Sequence, residues 1–190
     1  MLTQMKKISL LFVLTTFLST VQAQTGAEEF WEKLKVLCNK SFEGKITEAP
    51  ENDSFRGKKL VMQVKSCEPN QIRIPFYVGE NKSRTWVLTY EKGLITLKHD
   101  HRHEDGSPDK INQYGGTSSN TGLSGIQIFP ADQQTSDLLP NASTNVWWIT
   151  LDEKTFTYNL RRLGTDRVFS VSFDLSKPVE CSDSPWGWKE

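Results

Sequence analysis

The sequence predicts an all-β fold, an antiparallel up-and-down meander closing into a small barrel, with one N-terminal helix. Three observations predict it. Apolar residues recur at every second position in a series of short segments between residues 41 and 175. Short turns of hairpin chemistry join those segments. A single apolar stripe at three-to-four spacing stands ahead of them.

The stripe covers Ala27 to Cys38, where Phe30, Leu34 and Leu37, with Trp31 and Cys38, share one side of a helix. Glu28 and Glu29 sit in its first turn, where the helix dipole favours negative charge. After Asn39 the period becomes two. Strands are expected at 41–48, 59–66, 71–78, 84–90, 94–103, 110–114, 126–129, 144–151, 155–163 and 167–175. The clearest alternations are Ile72/Ile74/Phe76/Val78, Trp86/Leu88/Tyr90 and Phe169/Val171/Phe173/Leu175. Glu91-Lys92-Gly93, Asp152-Glu153-Lys154 and Gly164-Thr165-Asp166 suit hairpin turns. Two longer connections break the rhythm: Gly115 to Gly125, and Pro130 to Pro140 with a short helix expected at Asp132–Leu139. The simple hairpin order favours a barrel over a two-sheet sandwich, because closure removes exposed strand edges. A barrel of about eight strands either fills with side chains or holds one small ligand.

Residues 1–23 have the parts of a secretory signal. Lys6 and Lys7 precede an apolar run from Ile8 to Leu18, and Val21-Gln22-Ala23 offers a small-residue cleavage site. The run falls short of the ~20 residues a bilayer requires. The expected organisation is a signal peptide at 1–23, one β-barrel domain at 24–177 and a C-terminal tail at 178–190, with export to a bacterial periplasm or medium. Cleavage removes two lysines and no acid, which takes the formal charge from 0 to −2. Nothing in that balance points to a nucleic-acid partner, which calls for a clustered basic surface. Aromatic residues make up 11% of the chain and include six tryptophans, which suits a β core or a stacking pocket.

Of the three cysteines, Cys38 and Cys67 sit at element ends while Cys181 lies in the tail. In an oxidising compartment one disulfide is expected. Cys38–Cys67 is favoured, with Cys67–Cys181 as the rival. No C-x-x-C pair is present to suggest a cysteine metal site.

All three histidines fall in Leu97-Lys98-His99-Asp100-His101-Arg102-His103-Glu104-Asp105-Gly106. On a strand His99, His101 and His103 share the face of Ile95 and Leu97, while Lys98, Asp100 and Arg102 take the other. Histidines two apart stand ~6.8 Å from each other along a strand, so His99 and His101 are placed to share a divalent metal such as zinc. His103 lies ~13.6 Å from His99 and is too far for the same ion. A third ligand has to come from elsewhere, with Glu104, Asp105 and Asp109 the nearest acids. The other readings are a hydrogen-bonded network holding no ion, and imidazoles that contact a polar or anionic ligand. Trp86, Trp148 and Arg162 complete the expected ligand-contacting set. An inward arginine has to meet a carboxylate or an anion, because it keeps its charge. No G-x-S-x-G elbow, P-loop or dinucleotide glycine pattern is present.

Ser83-Arg84-Thr85-Trp86-Val87-Leu88-Thr89, the run Leu97 to Gly106, Tyr114-Gly115-Gly116 and Thr144-Asn145-Val146-Trp147 together resemble a family of exported bacterial proteins marked by this histidine run. The resemblance covers most of the chain after residue 23. It implies an exported β domain and no particular reaction. In element order, a helix bearing Trp31 followed by a meander, the chain is also similar to the calycins, lipocalin-like barrels that hold small apolar ligands. It lacks their Gly-x-Trp motif.

The functional expectation is therefore an exported barrel holding a small molecule or ion near His99, His101 and His103. Two alternatives stand beside it. One is an enzyme using a metal-bound water or a histidine as general acid–base. The other is an envelope interaction protein presenting an exposed aromatic patch that includes Trp186 and Trp188.

Overall fold

The computed structural model describes residues 23–188. The expected signal peptide lies outside the described residues, apart from Ala23. Helix α1 (Gly26–Lys35) is followed by β1 (Ser41–Glu48), β2 (Leu60–Gln63), β3 (Ser66–Glu68), β4 (Gln71–Val78), β5 (Asn81–Glu91), β6 (Leu94–His101), β7 (Tyr114–Thr117) and β8 (Ile126–Pro130). Then come α2 (Gln133–Leu138), a single 3-10 turn (Pro140–Ala142), β9 (Asn145–Leu151), β10 (Thr155–Arg162) and β11 (Val168–Pro178).

The strands pair antiparallel in the order β7-β6-β5-β4-β2-β1-β11-β10-β9-β8, with β3 paired to β4 off this path. This is the expected meander, run in two halves. The β1–β11 ladder, which pairs Ile46 with Val171, joins the beginning of the sheet to its end. The sheet is thereby nearly closed, and the one interruption falls between β7 and β8. There the backbone is bridged instead of laddered. Asp132 donates its N–H to the Gly115 carbonyl at 3.0 Å. Fully buried Thr135, on α2, accepts from the Gly115 N–H at 2.7 Å and donates to its carbonyl at 2.8 Å. One hydroxyl thus satisfies both polar groups of a backbone unit that has lost its strand partner. The approach is so close that a Cβ on Gly116 would lie 1.8 Å from the Pro130 carbonyl oxygen, so only glycine fits.

Four expected elements come out differently, each for a local reason. The helix stops at Lys35, before Cys38, because Asn39 takes a positive φ of 63° and Cys38 is drawn into a disulfide with Cys67. The strand expected at 59–66 splits into β2 and β3. Val64 still donates to Lys40 beside β1, whereas Lys65 donates to Arg73 of β4. The strand expected at 110–114 begins only at Tyr114, since Ile111 donates to the Asp109 side chain and Gln113 has a φ of 57°. The strand expected to reach residue 103 ends at His101, and His103 instead closes a turn with Gly106 and Ser107.

Helix α1 closes one end of the barrel. Ala27, Phe30, Trp31 and Leu34 are buried. Trp31 donates its indole N–H to the Pro69 carbonyl at 3.2 Å and stacks on Tyr90 with ring centroids 5.7 Å apart. Below it the core is continuous through Leu88, Ile95, Leu97, Phe129, Ile149, Phe156 and Phe173. The Cys38–Cys67 bridge ties the end of α1 to β3 across 29 positions of sequence. A loop of that length implies about 3–4 kcal/mol of stabilisation through the unfolded chain. Denaturant unfolding with and without reductant measures it, and coincident midpoints would contradict the assignment.

Residues 179–188 run back over the outer wall. Lys82 pairs with Asp183 at 2.5 Å, and the Arg73 guanidinium lies 5.7 Å from the Trp188 ring centroid. Trp186 and Trp188 are each partly buried there, so the tail does not present them as an open aromatic patch.

Candidate ligand cavity

Strand register places the site. Ile74, Trp86, His99 and Tyr114 are direct cross-strand neighbours on β4, β5, β6 and β7, and Phe76, Arg84 and His101 form the next row toward the open end. Period-two alternation turns both rows inward. His99 is 4% exposed and His101 is partly buried. Opposite them, β9 and β10 contribute Trp147 and Tyr158. Apart from Ile74, which stays in the core beneath them, these residues line a cavity of about 560 Å³ at the end of the barrel away from α1.

The rings form a stacked wall. Trp86 lies 4.7 Å from Phe76 and 4.4 Å from Tyr158, nearly parallel to both. His99 stacks on Tyr114 at 4.5 Å and tilts against Trp147 at 5.3 Å. Hydrogen bonds then fix the imidazole. The Tyr114 carbonyl, which can only accept, lies 3.0 Å from His99 Nδ1, so that nitrogen carries the proton. Nε2 therefore accepts from the Tyr158 hydroxyl at 2.7 Å. Both nitrogens of His99 are engaged. Burial pushes its pKa down to about 3, against a partial opposing pull from the Tyr114 carbonyl. His101 Nε2 meets the Tyr114 hydroxyl at 3.1 Å. Burial, and secondarily the Arg84 charge, hold its pKa down at about 4. Tyr114 is raised to about 12 by burial, and Tyr158 is raised well above the usual phenol range for the same reason.

This donor set does not fit a metal. No lone pair of His99 is free, and the described residues contain no group of three or more His, Cys, Asp or Glu side chains arranged to hold an ion.

Charge enters at the mouth. Arg84, Arg162 and Arg167 all reach the cavity, and Asp53 is the one carboxylate among its lining residues. Asp53 is committed to Arg167 at 3.7 Å. Arg84 uses Nη1 on Asn81 and Ser83, and its carbon lies 4.9 Å from the Phe55 ring centroid. Arg162 uses Nε on Asn145 at 2.9 Å. Among the described residues, neither Arg84 nor Arg162 is in an ion pair.

The sequence-predicted residues are thus distributed as follows. His99, His101, Trp86 and Arg162 come together in the cavity wall, and Arg161 is exposed on the other face. His103 is exposed in the turn after β6, outside the cavity, because that strand has already ended. Trp148 points out of the barrel, beside half-exposed Ile128 on the neighbouring strand, and Trp147 takes the inward place. The alternation Trp147/Ile149/Leu151 against Trp148/Thr150 carries that signal. Arg84, Tyr114 and Tyr158 are further wall residues that the sequence reading did not single out. Arg84 shares the inward parity of Trp86 and Leu88, so it too was legible.

The fold and site define a class: a nearly closed antiparallel β-barrel, plugged by a helix at one end and holding an aromatic-walled cavity at the other. No protein-family model, curated protein or solved structure matches this chain.

Proposed function

We propose that this protein is an exported carrier or sensor that holds one small, largely apolar molecule in the barrel cavity. The observation that carries the reading is the cavity of about 560 Å³ whose wall is Trp86, Tyr158, Trp147 and His99 rather than packed core. Preformed, mostly apolar concavities of this volume are the usual form of small-molecule sites. Export is supported by the signal-like segment 1–23 and by the Cys38–Cys67 disulfide, which suits an oxidising compartment. Among the described residues no helix is long and apolar enough to cross a membrane.

The wall is already rigid. Each buried polar atom of His99 and Tyr158 has its partner, so the stacked rings offer flat apolar faces with little rearrangement. Leu160 is partly buried on the cavity lining, which makes it a place to add bulk without touching the hydrogen-bonded wall. Titration of the folded protein with the neutral fluorophore N-phenyl-1-naphthylamine should give saturable enhancement, lost in Leu160→Trp while circular dichroism is unchanged. Enhancement that Leu160→Trp leaves intact would place the dye elsewhere and remove the reading.

A further inference from the structure

The cavity is apolar within and cationic at its entrance, and the two properties together narrow what fits it. Arg84 and Arg162 stand on the lining from opposite sides of the barrel, on β5 and β10. Each spends one nitrogen on a neutral partner, Arg84 through Nη1 and Arg162 through Nε. An arginine carries five N–H donors and does not shed its charge, so donors remain on both guanidiniums. The nearby carboxylates are otherwise engaged. Asp53 pairs with Arg167, Asp109 accepts from the Ile111 N–H, and Asp100 is bound by Arg102 and Gln113 on the outer face. His99 and His101 do not supply the positive charge, since both imidazoles are held neutral. The entrance charge therefore comes from guanidinium groups.

Resting on the proposed carrier reading, we propose that the ligand is an amphipathic monoanion, with an apolar body against Trp86, Trp147 and Tyr158 and a carboxylate-type head held by Arg84 and Arg162. An anion at this place gains charge-assisted hydrogen bonds that a neutral head does not. A cationic head meets two guanidiniums that, among the described residues, are in no ion pair. The body is limited by the cavity to one compact ring system or a folded chain.

Calorimetric titration with 2-naphthoate, its neutral amide and 2-naphthylmethylamine tests this on the full chain without residues 1–23. Naphthoate is expected to bind about tenfold or more tighter than the amide, with the ammonium compound weaker still. Arg84→Gln and Arg162→Gln should each bring the acid-to-amide affinity ratio down by about tenfold, toward unity. Equal binding of acid and amide, unchanged in both variants, would overturn the anion assignment while the carrier reading stands. Absence of any naphthyl binding sensitive to Leu160→Trp would remove the carrier reading itself. Should either arginine variant fail to fold, the acid-to-amide ratio on the unmodified protein still decides the anion assignment.

Discussion

Trp31→Ala should destabilise the fold by about 3–5 kcal/mol, the range for deleting a large buried aromatic side chain. Trp31 is 1% exposed, and three separate losses coincide at its position. The plug over the closed end leaves a cavity, the Tyr90 ring loses its stacking partner, and the Pro69 carbonyl loses its indole donor. Trp31→Phe separates these effects. It keeps most of the buried area and removes the N–H, so it should cost about 1–2 kcal/mol. Equilibrium unfolding in urea reads both values. A loss below about 1 kcal/mol for Trp31→Ala would mean that α1 does not seal the barrel. Because the ligand cavity lies at the other end, Trp31→Phe should bind the naphthyl probes as the unmodified protein does.

Mild acid should be the second large lever. The folded state keeps His99 and His101 neutral, with pKa values near 3 and 4, whereas the unfolded chain takes up protons below about 6.5. The unfolded state binds more protons throughout that window, so stability rises with pH there. It is complete above about pH 6.5 and falls as the pH descends toward the folded-state values. Each histidine that stays neutral implies a loss of about 2 kcal/mol between about pH 7 and pH 5. Carboxylates such as Asp132 and Asp174, held below their ordinary range by hydrogen bonds to Lys98 and Ser176 respectively, have scarcely begun to titrate in that interval. Urea midpoints measured at both pH values test this. His99→Gln should reduce the pH dependence by about half, since it removes one of the two titrations. Equal stability at both pH values would show that the imidazoles reach solvent. The ligand's hold on Arg84 and Arg162 should not follow the same curve, because guanidinium charge is constant across it.

These expectations converge on one division of labour within the barrel. The α1 end is sealed by apolar packing and a disulfide. The opposite end combines a neutral, hydrogen-bonded imidazole wall with guanidiniums at the rim. Histidine serves here as a polar structural ring: it stacks on Tyr114 and accepts from Tyr158, and it does so only while neutral.

Much of this was written in the order of residues. Alternation assigned β1, β4 and β10 nearly to the residue and turned His99 and His101 inward, because side-chain parity on a strand is a local property. The favoured Cys38–Cys67 pairing followed from two cysteines at element ends. Trp147 and Arg84 were within reach of the same parity argument. The rest depended on distant segments. The halt at His101 follows from backbone bonds that His103 makes to Ser107, and the glycine pair at 115–116 is used to bring β7 against the α2 segment. Asp53 and Phe55 come to the mouth from an irregular loop with no period to read. Which nitrogen of His99 is protonated was settled by a carbonyl 15 positions away and a hydroxyl 59 positions away. Sequence by itself determined the β meander, its helix and the inward face, since these rest on local periodicity. Only tertiary structure decided that both nitrogens of His99 are engaged within the cavity wall, because a ring's free capacity depends on which partners closure of the barrel brings to each nitrogen.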